Sequence, residues 1–100
     1  MKKKAAKTPE YQEFASVWDA LCDTPEEAAN LTARSELMMQ ITRIVKKGGW
    51  TQAEAAKRCR VTQPRMNDLL RGRIDRFSLD ALVNIATALG RKVQLKLKAA

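Results

Sequence analysis

No histidine occurs anywhere in the 100 residues, so the side chain that most often serves as general base or metal ligand is missing. The two cysteines, Cys22 and Cys59, lack the Cys-x-x-Cys spacing of a zinc or redox site and are expected as reduced, partly buried thiols. No apolar run approaches the roughly 18 residues that a membrane span requires. The opening MKKKAAK lacks the apolar core of a signal peptide, so a cytoplasmic protein with no membrane contact is expected. Glycine appears four times and aromatics make up 5%, which tilts the chain towards helices. These absences point away from an enzyme and call for no metal or cofactor.

What the sequence does have is positive charge, unevenly placed. Residues 1–40 carry five basic and seven acidic side chains, whereas residues 41–100 carry fourteen basic and four acidic ones. A cationic half of this kind favours a polyanion, because each phosphate neutralised by Lys or Arg releases counterions. A solvated basic surface has the same composition, so the position of the charges decides between the two.

One hundred residues make one domain. Residues 1–8 read as a basic tail expected to stay disordered, and residues 9–100 as a single unit. Pro9 opens a first helix with Tyr11, Phe14, Trp18 and Leu21 at three- and four-residue spacing, and its aromatics are expected to pack on the domain. Thr24, Pro25 and Glu27 then form a capping box for a long amphipathic helix whose apolar stripe includes Leu31, Leu37, Met38, Ile41 and Val45 and which closes at Gly48 and Gly49. Three short helices follow, capped by Thr51, Thr62 and Ser78, with Glu54 expected to complete a second capping box at Thr51, the last helix ending at Gly90. Residues 92–98 change period: Val93, Leu95 and Leu97 alternate with Lys92, Gln94, Lys96 and Lys98, which predicts a half-buried strand. The expected fold is therefore all-α, a five-helix helix-turn-helix domain with a C-terminal β-strand.

The segment TQAEAAKRCRVTQPRMNDLLRG, residues 51–72, has two short helices around a tight turn, with the motif itself spanning 51–71. That layout sets a second helix in the major groove while the first crosses the backbone. Ala53, Ala55 and Ala56 are small, and at least one of them is expected where the two helices cross closely, while Val61, Met66, Leu69 and Leu70 are the apolar residues expected to hold the second helix down. Gln63, Arg65, Asn67 and Arg71 remain for its exposed side. Gln and Asn can pair bidentately with adenine and Arg with guanine, and the first turn of a recognition helix meets base edges first.

These residues, followed by FSLDALVNIATALG, resemble the helix-turn-helix of the XRE group, the Cro and phage-repressor type of regulator. The long preceding helix, the RVTQPR turn, the RGRIDRFSLD connection and the terminal KVQLKLK are similar to small HigA-like antitoxin regulators. The resemblance covers about residues 15–98. It implies that Gln63, Arg65 and Asn67 read bases, that Gln52, Thr62, Arg71 and Arg73 meet the DNA backbone, and that Gln52 also braces Gln63. It further implies a repressor of a palindromic operator, with a RelE/HigB-like ribonuclease toxin as partner contacting residues 1–23. One departure stands out: the turn position often held by glycine is Arg60.

A lone strand leaves its backbone groups unpaired, so Val93, Leu95 and Leu97 are expected to meet a second copy in a homodimer. A stand-alone or phage-borne regulator without toxin shares the same features. An interaction adaptor that has lost DNA binding is the reading from another class, and Gln63, Arg65 and Asn67 argue against it.

Overall fold

The computed structural model describes residues 9–99, and the tail expected over residues 1–8 lies outside them. The described elements are α1 (Pro9–Leu21), α2 (Pro25–Gly48), α3 (Gln52–Cys59), α4 (Gln63–Leu70), a 3-10 turn (Ile74–Arg76) and α5 (Leu79–Ala88). Each of α2 to α5 opens on a hydroxyl in extended backbone. Thr24, Thr51, Thr62 and Ser78 accept from the backbone N–H of Glu27, Glu54, Arg65 and Ala81, each cap contributing about 1 kcal/mol. The glutamates do not return the favour as a full capping box would. Glu54 pairs with Arg58 at 3.1 Å, and Glu27 lies against the Cys22 thiol.

The core gathers around one end of α2. Met38, Ile41 and Val45 pack with Ala55, Ala56 and Cys59 of α3, Met66 and Leu69 of α4, Phe77, and Leu82, Ile85 and Ala86 of α5. Val61, Leu70, Trp50 and Val93 close its margin. Of the three small residues of α3, Ala55 and Ala56 are buried where it meets the core, and Ala53 is exposed. Both cysteines are free thiols. Burial pushes the Cys59 thiol above its ordinary pKa, so it is protonated at neutral pH and acts as a small apolar filler.

Helix α1 lies antiparallel on the outer face of α2, since Trp18 Nε1 donates to Ser35 Oγ at 2.9 Å and Arg43 pairs with Glu10 at 3.2 Å. Close approach is possible because α2 turns small residues to this side. Ala28, Thr32 and Ser35 are buried, with the Thr32 hydroxyl satisfied by the Ala28 carbonyl at 2.7 Å. Tyr11, Phe14 and Trp18 are half-buried. Leu21, which continues their spacing, is 69% exposed in the last turn of α1.

The expected C-terminal β-strand does not form. Residues 91–99 carry neither helix nor strand, and no β-strand occurs among the described residues. A strand is defined by its ladder, and no second extended segment lies alongside to accept these N–H groups. Val93 rests on the core, while Leu95 and Leu97 are almost fully solvated.

Candidate nucleic-acid interface

The turn between α3 and α4 is built by a left-handed residue. Arg60 has φ +60° and ψ +41°, the one non-glycine with positive φ among the described residues. Its N–H reaches the Lys57 carbonyl at 3.2 Å and the Val61 N–H reaches Ala56 at 3.0 Å. This is the 6→1, 5→2 pattern that ends a helix and turns the chain sharply. Val61 then tucks against the core, and Thr62 starts α4 at once. Pro64 falls in the first turn of α4, where no helical N–H is needed.

Met66 and Leu69 anchor α4 with no accessible surface at all. The remaining face carries the residues singled out from the sequence. Gln63 is exposed with its amide uncommitted. Gln52, at the start of α3, reaches across the motif, but to Asn67 Oδ1 at 3.4 Å rather than to Gln63. Thr62 uses its hydroxyl as the cap of α4. Arg71 is exposed at the C-terminal cap of α4, its side chain free. Gln52, Thr62 and Gln63 thus stand at the N-terminal ends of the two helices, and Asn67, one turn further along α4 from Gln63, is joined to them through Gln52.

Arg65 and Arg73 are engaged within the protein. Arg65 donates to the Arg76 carbonyl at 2.9 Å and lies 4.4 Å over the Phe77 ring. Arg73 approaches Asp68 at 3.7 Å, and Arg76 meets the other oxygen of the same carboxylate at 3.3 Å. A groove of about 470 Å³ runs between the α3–α4 turn and α5, lined by Arg60, Val61, Arg65, Asn84 and Thr87. Val93, Leu95 and Leu97 are remote from the motif in sequence, and only Val93 is held by the core.

One contributor escaped the sequence reading. Arg34 of α2 donates from Nη1 to the carbonyls of Phe77 at 3.2 Å and Ile74 at 3.4 Å, with its Nε on Asn30 at 2.7 Å. It fixes the loop that follows α4. The signal was present: Arg34 falls on the same helical stripe as Leu31, Met38, Ile41 and Val45. A lone cation in a core-facing register calls for buried acceptors.

Two short helices at a tight turn, the second anchored by its apolar side and presenting polar residues from its first turn, define a helix-turn-helix protein. The family model described as a helix-turn-helix domain matches residues 20–98, and the chain belongs to that family. Membership points to a DNA-binding regulator. A search of curated proteins returns no match. Among the described residues no helix is long and apolar enough to cross a membrane.

Proposed function

We propose that the protein is a sequence-specific transcriptional repressor of the XRE type, acting in the cytoplasm without catalysis and without a cofactor. The observation that carries this reading is the group of polar side chains on the two helices of the motif. Gln63 is uncommitted there, and Gln52 and Asn67 are joined by a single long contact, so all three can exchange their partners for base edges or phosphates. Thr62, Arg71 and Arg73 border the same helix and are assigned to the DNA backbone. The basic balance of residues 41–100 supplies the field that draws DNA to the chain.

The finer assignment is a HigA-like antitoxin that binds a palindromic operator as a homodimer and sequesters a RelE/HigB-like toxin. The exposed apolar edge of Leu95 and Leu97 supports contact with a second copy. Residues 8–33 hold six acidic side chains and no basic one, and Val17 and Leu21 are exposed among them, a surface suited to a cationic protein. Gel shifts on DNA from the protein's own promoter test the core of the reading. Gln63→Ala should cost roughly 1 to 3 kcal/mol on the preferred site and much less on random DNA; equal losses on both would remove Gln63 from the base readers. Co-expression with the neighbouring small reading frame tests the rest. A neighbour that neither stops growth nor co-purifies would leave a stand-alone regulator.

A further inference from the structure

We propose that Arg65 is a positioning residue that braces the recognition helix against the loop behind it, and that the base-reading surface of α4 is made of side-chain amides. The proposal rests on the DNA-binding reading above. Arg65 is held from two directions. Its guanidinium face covers the ring of Phe77, a side chain 1% exposed and therefore fixed by the core. One edge of the same group donates to the Arg76 carbonyl at 2.9 Å. Its side chain lines the groove shared with Asn84 and Thr87 of α5, in which Gln63 takes no part.

The loop it grips is held at successive points. Arg34 takes the carbonyls of Ile74 and Phe77, Arg65 takes that of Arg76, and the Arg76 guanidinium returns to Asp68 of α4. A guanidinium that reads guanine must turn its fork to O6 and N7. For Arg65 that means abandoning an aromatic stack and a charge-assisted bond, leaving the Arg76 carbonyl without this donor. Gln63, Gln52 and Asn67 face no such loss. Amides pair bidentately with N6 and N7 of adenine, so the bases beneath the first two turns of α4 include adenine, and Arg65 imposes no guanine there.

Selection of binding sites from randomised DNA, run on the full chain with Arg65→Gln, Phe77→Leu and Gln63→Ala, tests this. The wild type should enrich A·T pairs, and Gln63→Ala should relax one of them. Arg65→Gln and Phe77→Leu should keep the wild-type base preferences while weakening selected and random DNA alike, roughly tenfold. In the free protein both should speed amide hydrogen exchange over residues 72–78, whereas Gln63→Ala should not. Arg65→Lys, which keeps the charge without the flat stacking face, serves if the glutamine variant folds poorly and should behave in the same way. A G·C preference in the wild type that Arg65→Gln relaxes, with loop exchange unchanged, overturns the proposal. A wild type that enriches no sequence overturns the underlying DNA reading and the adenine assignment with it. The exchange measurement then still decides whether Arg65 is a brace.

Discussion

Arg60 carries the sharp turn of the motif in a conformation that costs an L-residue about 1–2 kcal/mol. The ends of α2, α4 and α5 use Gly49, Gly72 and Gly90 with positive φ for the corresponding job. Arg60→Gly should therefore stabilise the fold by about 1 kcal/mol, read as a higher urea midpoint at unchanged slope. A lower midpoint would mean that the arginine side chain does something here that outweighs its backbone strain. Arg34 is the opposite case, a cation whose loss should hurt. Part-buried charged hydrogen bonds to two carbonyls are worth about 2 kcal/mol, so Arg34→Ala should lower stability by that order. Arg43→Ala should cost well under 1 kcal/mol, because the Arg43–Glu10 pair is solvated, with side-chain exposures of 60% and 39%. Equal losses in the two variants, measured by the same urea titration, would refute this ranking.

At the scale of elements, the helices were legible because their signals are local. Hydroxyl caps, Pro25 and Pro64 near helix starts and glycines past helix ends each act within one turn of the chain. The anchoring of α4 by Met66 and Leu69 was equally plain, since both lie on one stripe. Residues 92–98 were misread for the complementary reason: alternation tells which side chains share a side of an extended segment and nothing about where its N–H groups find acceptors. Burial of Thr32 and Ser35 was hidden too, because only the presence of α1 covers them. The commitments of Arg65 to Phe77 and Arg76 depend on a loop whose path the sequence does not encode locally. The junction of α2 and α3 offers a direct test of packing against propensity. Alanine is a better helix former than glycine by about 1 kcal/mol, yet a Cβ at Gly48 would lie 2.6 Å from Trp50 Cε2. That ring packs on the core and lies beneath the Arg58 guanidinium at 4.5 Å. Gly48→Ala should thus lower the melting temperature and shift tryptophan emission; a gain in stability would show that the ring moves aside freely.

For the whole molecule the decisive property is how charge is divided. If Arg71 meets a phosphate, Arg71→Ala should weaken specific and random DNA alike and reduce the slope of log affinity against log salt by about one. An unchanged slope would take Arg71 off the list of backbone contacts. The antiparallel seating of α1 adds something that net charge does not convey. With Glu10 beside Arg43 and Trp18 beside Ser35, the hairpin tip carrying Asp19, Asp23, Glu26 and Glu27 stands at the start of α2. About 36 Å of helix, at 1.5 Å per residue over the 24 residues of α2, separates that tip from Lys46 and Lys47 in its last turn. If DNA is the partner, the molecule is an electric lever: the acidic tip and the basic residues 41–100 would feel opposing forces in its field, and the resulting torque would favour approach with the basic side forward. A protein so oriented loses fewer encounters to wrong-face collisions, and salt that shortens the reach of the field to about 10 Å at 0.1 M should slow association more than it speeds departure.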